Sequence, residues 1–190
     1  MDSLEQDMSR PFLNPGPSAK WRAGIKKSCF NYILVDPRVS KNIPKRVKVI
    51  GQKKAFLIFI ESIFYVGKGQ KARPYEHFKE AANQRSKFNA KVTSKKVAKI
   101  LEIWRSDRGV VSLCAFQNAI PVESFTREAC MIEAIGLENL TNVCKGQVYG
   151  PASNWSKSQI KKLGAWLLWK CFLILLNEGE RQIRYRDVGD

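Results

Sequence analysis

The sequence predicts a mixed α/β (α+β) domain: a small antiparallel three-stranded sheet flanked by helices. Three observations carry this. Short aromatic and β-branched runs at Cys29–Val35, Ile63–Gly67 and Val110–Ala119 are each bounded by turn residues. Between them lie stretches whose apolar residues recur at helical spacing. A long apolar segment near the C-terminus begins with a helix-start signature.

Taken in order, residues 1–20 combine Asp2, Glu5 and Asp7 with Pro11, Pro15 and Pro17 and few large apolar groups. Such a segment buries too little surface to offset its ordering entropy, so a flexible or irregular tail is expected, with the domain at 21–190. Cys29–Val35 reads as a strand that stops at Asp36-Pro37. A basic, proline-containing stretch from Arg38 to Val49 leads to Gln52–Ser62, where Ala55, Phe56, Phe59, Ile60 and Ile63 predict a helix inserted between two strands.

Ile63–Gly67 is the second strand, and a helix from Lys71 to about Gln84 puts Arg73, His77 and Glu80 on one face. A polar loop follows. Ser94 is the expected N-cap of a helix that buries Val97, Ile100, Leu101 and Trp104 and closes at Gly109. After the third strand, Pro121–Gly136 predicts a helix capped by Ser124, with Phe125, Ala129 and Ile132 in one stripe and Glu133 beside it. Ser156-Lys157-Ser158-Gln159 has the capping-box pattern and opens a helix to about Asn177, roughly 33 Å long. That helix is apolar over most of its circumference, which predicts core packing within a C-terminal extension at about 151–185.

Composition narrows the function. With 33 Lys plus Arg against 17 Asp plus Glu, the net charge of +16 favours a polyanionic partner, above all nucleic acid. Five cysteines without a C-x-x-C pair fit a reducing, intracellular setting, and argue against a structural zinc site. Residues 1–18 lack a secretory signal, and the apolar run Leu163–Leu176, interrupted by Lys170, is too short to cross a bilayer. One histidine excludes His-cluster metal sites, and Gly67-Lys68-Gly69 lacks P-loop spacing.

The chemistry-bearing segment is Phe64-Tyr65-Val66-Gly67-Lys68-Gly69, followed by Arg73 and His77 at i, i+4. Tyr32 stands on the preceding strand, and Glu128-Ala129-Cys130-Met131-Ile132-Glu133 lies downstream, with Asn142 beyond it. In this order and on these elements, the residues resemble the GIY-YIG endonucleases. The match covers roughly Cys29–Val143. Leu34–Arg38, Phe64–His77 and Thr126–Cys130 look like the branch found at the C-terminus of animal proteins bearing ankyrin repeats and a LEM domain. Phe30 and Asn31 replace the glycine and isoleucine of the first motif, and 32 residues lie between Tyr32 and Tyr65, where the family has a short connection.

The resemblance implies a DNA endonuclease leaving 5′-phosphate and 3′-hydroxyl ends on branched or otherwise non-B DNA. It implies Mg²⁺, with Mn²⁺ as a substitute, held by Glu133 as the second glutamate of E-A-x-x-x-E. A single carboxylate suits a mostly hydrated Mg²⁺. It also implies that Tyr32 is a general base whose phenolate cations favour, that Tyr65 contacts water or phosphate, and that Lys68, Arg73 and His77 serve the phosphate, with Asn142 the terminal member. Basic residues of the insertion and its neighbourhood, Lys41, Lys45, Arg46, Lys53, Lys54 and Lys71, are candidates for DNA contact. The implied setting is genome maintenance, DNA repair or the resolution of DNA bridges, in the nucleus and cytoplasm and at the division midbody, with no membrane. The alternative reading is a non-catalytic, basic nucleic-acid-binding module; a membrane-surface or protein-binding domain built on the C-terminal helix is a third.

Overall fold

Each predicted strand finds an antiparallel partner, and the pairing divides the molecule into two cores. The structure, a computed structural model, describes residues 2–16, 20–86 and 94–188. Strand β1 (Cys29–Val35) lies between β2 (Ile63–Gln70) and β3 (Val110–Ala119), in the sheet order β2-β1-β3-β4. The fourth strand, β4 (Gln182–Ile183), pairs with Val110 and Val111. Two residues are too few for a period-2 pattern to show, which is why the sequence predicted three strands.

The β1–β2 register sets Tyr32 opposite Gly67, Asn31 opposite Lys68, and Leu34 opposite Tyr65. Side chains alternate between the faces of a sheet, so Tyr32 and Tyr65 share one face, and Asn31 and Lys68 share the other. The first face is covered by α5 (Arg73–Ser86) and α6 (Lys95–Arg105), with Tyr32, Leu34, Phe78, Ile100, Ile103 and Trp104 in its core. Ser94 caps α6 by accepting from the Val97 amide at 3.4 Å. The polar loop expected ahead of it falls at 87–93, outside the described residues.

The second face carries Ile33, Val66, Val111 and Leu113 against α7 (Pro121–Ile135), behind which runs α8 (Lys157–Glu178). Both halves of the Ser156/Gln159 capping box are present. Ser124 does not cap α7. Pro121 occupies the first turn, where its missing amide costs nothing, and Ser124 is buried one turn further in.

The insertion contains α2 (Pro37–Ser40), α3 (Ile43–Ile50) and α4 (Gln52–Ser62), so the basic stretch is itself largely helical. The start of α3 was hard to foresee because its cap is remote: Glu180 accepts from the Asn42 and Ile43 amides at 3.1 and 2.8 Å. Phe56 and Phe59 pack on Phe172, and Phe56 also packs on Trp169, which joins the insertion to α8.

Residues 2–13 are not a loose tail. They form α1 (Asp2–Leu13), with Glu5, Met8 and Phe12 buried. Glu5 pairs with Arg127 at 2.7 Å and with Lys170 at 2.6 Å, and Trp166 donates to it at 2.9 Å. The missing driving force was therefore an ion network reaching α7 and α8.

Candidate active site

Gly67 explains why a phenol can sit where it does. A side chain there would overlap the Tyr32 ring, so Tyr32 lies flat over backbone and is 1% exposed. Its hydroxyl stands 2.6 Å from His77 Nε2, and Tyr65 completes a three-ring cluster with centroid separations of 5.4, 5.8 and 6.0 Å. The first turn of α5 delivers His77, close to β2 because Gly69 leaves room for Arg73: a Cβ at Gly69 would stand 2.5 Å from Arg73 Cβ.

Burial, then the charges of Lys96 and Arg73, push His77 down to about 3, so its ring is neutral near pH 7. Tyr32 is raised far above its ordinary value, by burial first and then by Tyr65, with Glu128 adding to the effect; Arg73 pulls the other way and loses. The expectation that cations favour the Tyr32 phenolate is not met in this arrangement. Tyr65 is also raised, by burial first, while the neighbouring Tyr32 hydroxyl works downward. Tyr65 is only partly buried.

On the other face, Lys68 pairs with Glu128 of α7 at 3.0 Å. Burial raises the Glu128 carboxyl, and Lys68 only partly offsets this. Glu128 is close enough to both phenols for its charge to hinder their ionisation. Glu133 is not brought to this cluster. Five residues on, at about 100° per residue, it is turned roughly 140° around α7, and its partner is Lys157 of α8 at 3.4 Å.

Asn142 reaches the site through the backbone. Its side chain accepts from the Val66 amide at 3.0 Å and donates to the Val66 carbonyl at 2.7 Å, while Thr141 binds the Phe64 carbonyl. These bonds cover the outer edge of β2 and fix the strand on both sides of Tyr65. Asn31, the departure from the motif, donates to the Ser124 carbonyl at 2.9 Å and so ties β1 to α7.

Arg73 is exposed, charge-paired with Glu76, and near enough to influence Tyr32, Tyr65 and His77. Of the basic candidates, Lys41, Lys45, Lys53, Lys54 and Lys71 are exposed, with Lys71 in the turn just before Arg73. Arg46 instead donates to the Ser40 and Lys41 carbonyls at 3.3 Å each, holding the α2–α3 turn. Sequence reasoning missed the place of Glu128 and all of Lys96, whose ammonium lies 4.8 Å above the Tyr65 ring.

Among the described residues, no three His, Cys, Asp or Glu side chains converge as a metal cluster. What the site offers is the buried Glu128 carboxylate, with the Asn31 Oδ1 atom buried on the same sheet face and without a hydrogen-bond partner among the described residues. Oxygen donors of this kind, few in number, fit a hard divalent cation that keeps most of its water.

A family model described as a LEM-3-like GIY-YIG domain matches residues 29–190. Ankyrin repeat and LEM domain-containing protein 1 from Homo sapiens is 42% identical over 186 residues, 97% of this chain and 30% of that protein. The Mus musculus protein of the same name is 41% identical over 184 residues, 97% of this chain and 34% of its own. The Caenorhabditis elegans homolog is 32% identical over 169 residues, 88% of this chain and 23% of its own. The chain thus spans about a third or less of these curated relatives. No solved structure matches it significantly. With its antiparallel sheet between helices and its two tyrosines on paired strands, the chain belongs to the LEM-3-like branch of the GIY-YIG nucleases, which hydrolyse phosphodiester bonds.

Proposed function

We propose that the domain is a Mg²⁺-dependent DNA endonuclease, with Mn²⁺ able to substitute, that leaves 5′-phosphate and 3′-hydroxyl ends on branched or otherwise non-B DNA. The observation that carries this reading is the Lys68–Glu128 pair, whose carboxylate lies within charge range of two phenols, one of them 2.6 Å from the His77 imidazole. Nucleases of this family use divalent metal ions. Glu128, rather than Glu133, would hold the ion, which when bound supplies positive charge to the phosphate and acidifies a bound water.

The chain's own groups then divide the work. Tyr32 is sealed from solvent with its hydroxyl 2.6 Å from His77 Nε2 and its ring against Tyr65, so it positions Tyr65. Tyr65, the more accessible phenol, has Tyr32 and the Arg73 charge working against burial toward its phenolate, and in that form takes the proton of the attacking water. The water oxygen bonds to phosphorus, the P–O3′ bond breaks, and the leaving oxygen gains a proton from solvent. Lys68, drawn from Glu128, and Arg73, drawn from Glu76, neutralise charge that builds on the phosphate. Asn142 keeps Tyr65 in register. Exposed Lys71 lies nearest to the site among the basic candidates, and Lys41, Lys45, Lys53 and Lys54 serve flanking duplex. Resemblance supports a role in genome maintenance in the nucleus and cytoplasm, including bridge resolution at the midbody.

The test is incision of supercoiled plasmid and of branched oligonucleotides with Mg²⁺ or with chelator. We expect Mg²⁺-dependent nicking that Tyr65→Phe abolishes. Salt-sensitive binding with no nicking under any divalent ion would leave only the non-catalytic binding module.

A further inference from the structure

Lys96 is unusual among the cations around the phenol cluster. Lys68 is tied to Glu128, and Arg73 to Glu76. Lys96 has no carboxylate within ion-pair distance among the described residues; Glu80 acts on it only from further away. It is nonetheless only partly exposed, and burial followed by the charge of Arg73 hold its ammonium below the usual lysine range. Helix α6 fixes its place, since Val97 and Ile100 anchor the first turns in the core and the ammonium is left 4.8 Å above the Tyr65 ring. A cation–π contact of this kind offsets only part of what burying the charge costs. An uncompensated, half-buried cation beside a reactive phenol is what a phosphate-binding position requires before its anion arrives.

A second observation lies next to it in space and sequence. Along the outer edge of β2, where Asn142 grips Val66, runs a groove of about 820 Å³. Among the described residues it is lined by Lys95 and Lys145 with one carboxylate, Glu138, by Leu137 and the buried Leu140, and at its rim by Val143. Val143 is 96% exposed. Cationic and apolar lining together suit a nucleotide strand, with phosphates on the lysines and base faces on the aliphatic side chains.

Resting on the nuclease reading, we propose that Lys96 is a phosphate-binding residue of this site and that the substrate strand leaves the phenol cluster past it, into the groove lined by Lys95 and Lys145. Lys96 receives a phosphate without first breaking an ion pair, unlike Lys68 and Arg73. The strand path crosses the covered edge of β2 rather than the face of the sheet.

The experiment measures binding of a branched DNA in chelator, where nothing is cut, across a salt series, and separately measures single-turnover incision in Mg²⁺. Removing one phosphate-binding cation lowers the steepness of log K against log salt by about 0.7–0.9. Lys96→Gln is expected to lower the slope by that amount and to slow incision at least about tenfold, and Lys96→Arg to restore both. The pair Lys95→Gln with Lys145→Gln is expected to lower the slope by about twice as much. Thermal melting accompanies each variant; if Lys96→Gln melts early, Lys96→Met takes its place.

An unchanged slope and rate in a folded Lys96 variant would overturn the phosphate-binding role. An unchanged slope in the double variant would overturn the path. Failure of the parent to cut while the slopes respond as described would overturn the nuclease reading and leave the strand path standing.

Discussion

Tyr32 is held by what surrounds it rather than by its own strand: bare backbone at Gly67 beneath the ring, His77 Nε2 at 2.6 Å from its hydroxyl, and Tyr65 beside it. His77 gives this arrangement a pH signature. Its folded value of about 3 lies below the ordinary 6.5, so between these limits the unfolded chain binds more protons than the folded one. The stability contributed by a neutral His77 is therefore complete above pH 6.5 and is lost as pH falls toward 3. Melting measured from pH 7 to pH 4 should fall less steeply in His77→Gln than in the parent; equal slopes would contradict the assigned state.

Much of the site is legible from residue order alone. Tyr32, Tyr65, Lys68, Arg73 and His77 all lie in or beside the cluster, because register and helix period place them there. The glutamate was not legible. Helix α7 is buried from Pro121 through Ile132 at every position but Phe125, so no polar stripe marks which side meets the sheet. Only packing separates Glu128, on Lys68, from Glu133, on Lys157. Lys96 was hidden for a related reason, since a lysine at the start of an amphipathic helix carries no mark of the ring it will cover.

Among elements, those driven by local chemistry were readable and those driven by distant partners were not. The α8 capping box lies within four residues of sequence, whereas the network that docks α1 joins Glu5 to Arg127 and Lys170. Burial alone would raise Glu5, yet Arg127 and Lys170 hold it below the usual carboxylate range. Glu5→Ala leaves Lys170 without its carboxylate and the buried Arg127 with Glu123 alone. Breaking a buried pair of this kind costs about 3 kcal/mol, a fall in melting midpoint of roughly 6–12 °C for a domain this size. Calorimetry checks it, and a shift below about 2 °C would mean that α1 is not anchored by this network. Close helix packing behind the site has a comparable origin: any Cβ at Gly164 of α8 would overlap the Cys130 carbonyl of α7.

Across the molecule, the sheet divides the site, with Lys68 and Glu128 on the face that also builds the large core. One face carries the phenols, imidazole and Lys96 under α5 and α6; the other carries the large core in which α7, α8, α1 and the insertion meet. The insertion is thus built into the scaffold through Phe56 and Phe59, and its exposed lysines ride on a rigid support. Helix α7 belongs to both halves, since it presents Glu128 toward the site and packs on α8 behind. No helix among the described residues is long and apolar enough to cross a membrane.

Whether Glu128 holds the catalytic ion at the paired phenols is decided by comparing Glu128→Gln with Glu133→Gln for Mg²⁺-dependent incision of branched DNA under single-turnover conditions. Glu128→Gln should lower the rate by about a hundredfold or more while DNA binding persists, and Glu133→Gln, whose partner is Lys157 on α8, should stay within about threefold of the parent. Full activity in Glu128→Gln together with loss in Glu133→Gln would move the ion to Glu133 and overturn this assignment.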